Sequence, residues 1–259
     1  MKISFLTPTL GNRPQEIIRL LESFRKQTVK DFEVIIVLQE NFSDIKNICS
    51  LYKDVNIVLI ESQKKGLSIN RNVGLSCCKG DIIILSDDDC WYPEDAVEKI
   101  IDAFKQYNAD ILLTQIYDQI NGRPYKKYSD KQYTVSNKLS LLSRSSIEIA
   151  FKKKVIEKVQ FDESFGLGAR FVCGEEVDFL MRAYEYNANI FYNPQVTVFH
   201  AVKQIAYNKS NIVAKGALYA KNLNMWCGVL VCLRDLIIKK ELNFSCFWKG
   251  YYDYIKKHN

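Results

Sequence analysis

Leu85 to Trp91 reads LSDDDCW, three consecutive carboxylates directly behind the apolar run IIIL at 82–85. Adjacent ionised aspartates repel one another where water is partly excluded, so a run of this kind wants a cation. A hard divalent ion with oxygen ligands, Mg²⁺ or Mn²⁺, suits it and can bridge carboxylates to phosphate oxygens. A cap for a helix starting near Pro93 would employ one aspartate but has no need of three. Upstream, KKGLSINRNVGL at 64–75 puts Gly66 before a helix that carries Arg71 and Asn72. A helix N-terminus with Lys and Arg close by is suited to holding a diphosphate. A further acidic group, GEEVDFLMR at 174–182, sets Glu175, Asp178 and Arg182 on one side of a helix. A carboxylate there can serve as general base if it faces the crevice, or Asp178 can simply pair with Arg182 one turn on. His200 ends the short run VTVF, where an isolated histidine reads as a satisfied core residue.

These groups need a frame, and the first 116 residues supply one. Apolar runs at Ile3–Leu6, Glu33–Leu38, Val55–Ile60, Asp81–Leu85 and Ile111–Gln115 alternate with helical spacing at 14–27, 44–52, 67–78 and 94–107. Ile17, Leu20, Leu21 and Phe24, for example, recur every three or four residues and share a face. Alternating strands and helices predict an α/β fold, a mostly parallel open sheet with helices on both faces. Such sheets take ligands outside the carboxyl ends of their strands, which is where the aspartates fall. Beyond 117 the pattern changes. Asn121-Gly122 predicts a hairpin turn, followed by a β-like run at 146–151, a helix near 174–187 and strands near 189–193 and 196–200. Residues 207–257 read as helices. One stripe there is Trp226, Val229, Leu230, Leu233 and Ile237. Another is Phe244, Phe247, Trp248, Tyr251, Tyr252 and Ile255, with Lys249, Asp253, Lys256 and Lys257 opposite.

Composition narrows the classes. With 259 residues, 47% hydrophobic and 25% charged, the chain can bury a sizeable core and is not disordered. No stretch approaches ~18 uncharged apolar residues, which excludes a polytopic membrane protein. The opening MKISFLTPTL is too short an apolar run for a secretory signal, so a cytoplasmic chain is expected. Eight cysteines include no C-x-x-C pair, and only two histidines accompany them, so reduced thiols filling apolar gaps are expected rather than bridges or zinc. The net charge of +6 is uneven: residues 203–259 hold ten Lys/Arg and three Asp/Glu, a balance of +7 against −1 for the rest. A basic tail on a near-neutral body suggests an appendage for anionic lipid or nucleic acid, unless it is only a solvated face.

In chain order, TPTLGNRP (7–14), KGLSINRNVG (65–74), the D-x-D within SDDDCWYP (86–93), FDESFGLGA (161–169), GEEVDFLMRA (174–183) and the His of VFH (200) resemble the family 2 glycosyltransferases, whose nucleotide-binding fold is called GT-A. The resemblance covers about residues 1–200, and the SDDDC variant with GLGA and a late His is similar to enzymes that assemble bacterial capsule or O-antigen polysaccharides. It implies a Rossmann-like nucleotide half (1–116) and an acceptor half (117–202), which leaves 203–259 as a basic amphipathic helical tail. It also implies that Thr7, Pro8, Thr9, Arg13 and Gly66 line the nucleotide-sugar, and that Arg71 approaches the base or diphosphate. Asp87 would face the ribose or metal-bound water, Asp88 would also contact the nucleotide-sugar, Asp89 and His200 would hold Mn²⁺ or Mg²⁺, and Glu176 would be the general base. The family's usual Asp-Asp after the second strand is Gln39-Glu40 here; Gln39 offers an acceptor to a pyrimidine N3–H and a donor to the adjacent carbonyl, which keeps a UDP-sugar as the expected donor.

On that resemblance the reaction is a single displacement. Glu176 takes the acceptor proton, the hydroxyl attacks the anomeric carbon, and the configuration inverts without an enzyme nucleophile. The expected acceptor is a glycan on a polyprenyl diphosphate. The tail would then contact an anionic membrane surface from the cytoplasmic side, with no nucleic-acid partner. A nucleotidyltransferase would want a Gly-rich loop after the first strand, where TPTLGNRP has one glycine. A non-catalytic nucleic-acid binder would rest on the basic tail alone.

Overall fold

A computed structural model describes residues 1–202, 208–239 and 243–258. Its centre is one sheet. Strands β1 (Ile3–Thr9), β2 (Phe32–Leu38), β3 (Ile57–Glu61) and β4 (Ile82–Leu85) run parallel in the order 3-2-1-4. All residues of β1, β2 and β4 are buried, as continuous apolar strands covered on both faces must be. The order then continues through β8 (Ile149–Lys152), β5 (Ile111–Asp118), β9 (Ile190–Phe199) and β7 (Tyr133–Thr134), with the short β6 (Arg123–Pro124) closing a hairpin on β5 at Asn121-Gly122. Strand β8 is antiparallel to both neighbours, so it interrupts an otherwise parallel run from β4 to β5.

One face carries α1 (Pro14–Arg25), α2 (Phe42–Ser50) and α4 (Ala96–Gln106), whose Ile17, Leu21, Phe24, Ile45 and Ile100 pack on Phe5, Val34 and Ile84. Phe5 lies at the centre of that layer, its ring 4.6 Å from Phe24 and 4.8 Å from Tyr92. The opposite face carries α3 (Leu67–Leu75) and α5 (Glu175–Glu185), packed on Leu6, Ile35 and Phe151. Helix α6 (Lys209–Asn222) continues this second layer through Ala214, Ala217 and Leu218. Helices α7 (Met225–Lys239) and α8 (Phe244–His258) follow. Two glycines let α6 and α8 approach backbone to backbone: a Cβ on Gly250 would lie 1.8 Å from the Val213 carbonyl oxygen, and one on Gly216 2.0 Å from that of Phe247.

Three sequence expectations are corrected. The strands near 189–193 and 196–200 are one strand, β9, whose register against β5 slips between Leu113 and Gln115. Pro194 has no N–H to give a ladder, and the irregularity accommodates it while the strand continues. The run at 146–151 begins as a 3₁₀ turn, Ser146–Glu148, before it becomes β8. The aromatic stripe of α8 does not act as a unit. Phe247 and Tyr251 are buried towards α6, whereas Phe244 and Tyr252 are exposed. All eight cysteines are free thiols.

Candidate active site

Strands β2 and β3 lie on one side of β1, and β4 lies on the other, so the chain reverses direction across the sheet between β1 and β4. At such a switch point the loops beyond the two strands part and leave a crevice. Strand β1 pairs with β4 only through Leu6, so Thr7, Pro8 and Thr9 extend past the end of β4 along that crevice, and Asp87 to Asp89 leave β4 beside them.

The three aspartates have different surroundings. Asp88 is buried, accepts a hydrogen bond from Thr9 Oγ1 at 2.5 Å and pairs with Arg13. Burial pushes its carboxyl above the usual range, against the lowering effect of Thr9 and Arg13. The Asp89 side chain is 10% exposed, with Oδ2 2.5 Å from Arg13 Nη1 and Oδ1 3.2 Å from His200 Nε2. Asp87 is the open one, its side chain 35% exposed. Arg13 thus bridges two of the three acids with a half-exposed guanidinium, and the cluster already attracts a cation.

His200 reaches Asp89 through a long-range connection. Trp91 and Phe199 exchange backbone hydrogen bonds of 3.1 and 2.7 Å, which tie the loop after β4 to the end of β9. The ring Nδ1 is 2.7 Å from the Ala201 carbonyl and must donate there. Nε2 then meets the Asp89 carboxylate as a donor when the ring is protonated and, when it is neutral, as a second ligand atom for a divalent cation beside Oδ1. Among the described residues no three His, Cys, Asp or Glu side chains converge as a complete ligand set. One carboxylate and one imidazole fit an ion that draws its remaining ligands from phosphate oxygens and water, as Mg²⁺ and Mn²⁺ do.

The far wall is built by α3, the segment 161–168 and the start of α5. Ser68 Oγ donates to the Phe165 carbonyl at 2.6 Å, Asn72 exchanges hydrogen bonds with the Phe161 backbone, and Leu67 N–H donates to the Leu167 carbonyl at 2.8 Å. Arg71 lies inside this wall with no exposure, Nη1 3.0 Å from Glu175 and Nη2 3.4 Å from Asp87. As placed it holds the two acids that flank the crevice and shows no surface of its own. Gly174 starts α5 in the left-handed region at φ 96°, which turns Glu175 inward to Arg71 and leaves Glu176 partly exposed. Burial first, and the Glu175 charge second, push the Glu176 carboxyl up from 4.5 to about 8. Asp178 is fully buried between Arg182, Lys221 and Asn222. The pairing alternative therefore holds for Asp178, which is committed to the core.

Gln39 also has a different employment from the one its chemistry suggested. Its Oε1 accepts the Gly66 N–H at 3.0 Å, so it ties the end of β2 to the start of α3. Glu40 pairs with Lys65 across the same gap. Thr7 Oγ1, in contrast, is buried without a partner.

The model of the family described as Glycosyl transferase family 2 matches residues 4–149, from the first strand to the start of β8. The chain is a family 2 glycosyltransferase. Over 223 residues (81% of this chain, 67% of the relative) it is 26% identical to the poly(ribitol-phosphate) β-N-acetylglucosaminyltransferase TarP of Staphylococcus aureus. It is 26% identical over 174 residues (63% and 56%) to the GalNAc(5)-diNAcBac-PP-undecaprenol β-1,3-glucosyltransferase of Campylobacter jejuni. Its fold is that of S. aureus TarS 1–349, solved with UDP-GlcNAc, at a TM-score of 0.74, 17% identity and coverage of 99% of this chain and 81% of that one. It also matches a Pyrobaculum calidifontis mannosyltransferase solved with GDP-Man and Mn²⁺, at a TM-score of 0.63, 15% identity and coverage of 90% and 64%. The GT-A architecture implied by the resemblance is therefore the one found. The chain spans between 17% and 67% of the lengths of the first curated relatives it matches.

Three groups at the glycosyltransferase crevice carry no sequence signal. Arg19 donates to the Asp89 carbonyl at 2.9 Å and stacks 3.9 Å from the Trp91 ring centroid, which steadies the acidic loop. Its only mark in the sequence is to fall off the apolar stripe of α1. Tyr125, just beyond the hairpin turn, meets the His200 ring edge-on at 5.4 Å. Beside it, buried Glu148 accepts from Lys126 Nζ at 3.1 Å and Tyr128 Oη at 3.0 Å, fixing the segment that follows β6.

Proposed function

We propose that this glycosyltransferase moves a sugar from a nucleotide-sugar, a UDP-sugar in the first instance, to a hydroxyl of a lipid-linked glycan, with inversion. Surface polysaccharide of the capsule or O-antigen kind is the product class, and the inner face of the plasma membrane the place. The observation that carries the reading is the Asp88–Asp89–Arg13–His200 constellation at the reversal of the sheet. It collects charge where a nucleoside diphosphate would lie.

In this reading Thr7, Pro8, Thr9 and Gly66 line the nucleotide, and the unpartnered Thr7 hydroxyl has a hydrogen bond to give it. Asp87, the exposed acid, faces the ribose; Asp88 holds Thr9 and Arg13 in place. Asp89 and His200 would hold Mn²⁺ or Mg²⁺, which neutralises charge on the departing diphosphate. Arg13 stabilises the same charge as it develops. Arg71 positions Asp87 and Glu175 from inside the wall. Glu176 accepts the acceptor's proton; the freed oxygen bonds the anomeric carbon as the sugar–phosphate bond breaks and its electron pair passes to the phosphate oxygen. A carboxyl raised to about 8 is a strong enough base to share that proton.

The names of TarP and of the undecaprenol-linked glucosyltransferase support a surface-glycan acceptor, and the UDP-GlcNAc complex of TarS supports a uridine donor. The test is thermal stabilisation by UDP, GDP and dTDP with and without Mn²⁺, followed by release of the nucleoside diphosphate from the matching sugar donor. Stabilisation by one diphosphate that requires the metal is expected. Equal and negligible shifts with all three would remove the donor assignment.

A further inference from the structure

We propose that helices α7 and α8 dock the chain on an anionic lipid surface, with Trp226, Leu230 and Leu233 as the inserting edge. These residues stand at i, i+4 and i+7 on α7 and are 74%, 66% and 42% exposed. The other side of the same helix, Val231, Cys232 and Asp235, is buried. Scattered exposed apolar residues need no explanation, but a helical stripe of them is a surface meant to be covered. Helix α8 divides in the same sense. Phe247 and Tyr251 pack towards α6, while Phe244 and Tyr252 are 47% and 64% exposed, with Trp248 ring-to-ring between them at 5.6 Å from each. Lys249 and Lys256, both exposed, flank Tyr252 three residues before and four after it.

Charge selects the occupant. Residues 203–259 carry +7 and the remainder −1. A second copy seated on this face would bring two such tails together, so like charges would oppose it. Nucleic acid would answer the charge but leave Leu230 and Leu233 in water. An acidic leaflet answers both, with aromatic rings at headgroup depth and lysines against lipid phosphate. No helix among the described residues is long and apolar enough to cross a membrane, so the contact lies in the plane of the surface. The proposal names the membrane-facing side of the enzyme proposed above, yet its test does not depend on the chemistry at the crevice.

The experiment is flotation of the full chain with vesicles of phosphatidylcholine alone and with 30% phosphatidylglycerol, alongside W226S/L230S and K249E/K256E. The wild type should float with the anionic vesicles and not the neutral ones. Each double variant should lose about tenfold in partitioning, with its melting temperature and its UDP response unchanged. Wild-type binding that both variants retain in full would overturn the proposal, as would no vesicle binding by the wild type. A dimer that W226S/L230S dissolves without any effect on flotation would assign the face to a second copy instead. UDP binding read on the same samples separates failure of the docking surface from failure of the donor reading.

Discussion

Replacing Arg13 with glutamine should move metal and nucleotide affinity in opposite directions. The guanidinium pairs with both Asp88 and Asp89, so a divalent ion at Asp89 competes with it for carboxylate oxygens. The arginine side chain is 44% exposed, which limits each pair to the ~0.2–1 kcal/mol typical of open ion pairs. The carboxylates are only 3% and 10% exposed, which moves the sum towards the upper end, about 1–2 kcal/mol together. Removing that competitor should tighten Mn²⁺ binding in the absence of nucleotide by about 5- to 30-fold. Once the metal is seated, the same side chain is free to meet a phosphate, a charge-assisted hydrogen bond of ~1.5–3 kcal/mol. UDP affinity at saturating Mn²⁺ should therefore fall by tenfold or more. Free Mn²⁺ counted by electron paramagnetic resonance gives the first number and calorimetry the second. Unchanged or weaker Mn²⁺ binding by R13Q would mean that Arg13 and the ion do not share a site.

Two further substitutions test the base and the tail. For Glu176, the folded carboxyl keeps its proton between 4.5 and about 8 whereas the unfolded one has lost it, so its contribution to stability falls as pH rises through that window. E176Q should match the wild type in melting temperature at pH 5 and exceed it at pH 9; parallel curves would place the carboxyl elsewhere. The same variant should retain donor binding and lose turnover, and wild-type kcat/KM should rise with pH through a midpoint near 8 and level off above about 9. Gly250→Ala puts a methyl 1.8 Å from the Val213 carbonyl oxygen, so α8 must shift off α6. Overpacking of about 1–3 kcal/mol or more should exceed the ~1 kcal/mol gain in helix propensity. Its melting temperature should drop; an unchanged value would mean that the two helices are not locked at this contact.

The central strands were legible because strands covered on both faces are apolar throughout, and β1, β2 and β4 have no other reading. The aspartates were legible because three charges at a strand end have no ordinary structural use. The contacts that complete the site were not, although the resemblance set His200 beside Asp89. His200 lies 111 residues from Asp89, and what joins them is a pair of backbone hydrogen bonds between Trp91 and Phe199, which any side chain could make. The depth of Arg71 was equally hidden, since an arginine at a helix start looks alike whether it faces solvent or is enclosed by Glu175 and Asp87. The α8 stripe shows a different limit. Helical spacing tells which residues share a side, but not which part of that side another helix covers, and the contact is decided by Gly216 and Gly250 rather than by any apolar pattern.

The acids beyond β4 are proposed to hold a metal for a nucleoside diphosphate. Calorimetric titration of UDP into wild type and D89A, each with and without Mn²⁺, tests this most directly. In the wild type Mn²⁺ should strengthen UDP binding by about tenfold or more. In D89A, with its melting temperature kept, that dependence should vanish. UDP binding by the wild type that ignores Mn²⁺, or a D89A protein that still responds to it, would mean that these acids do not hold the metal.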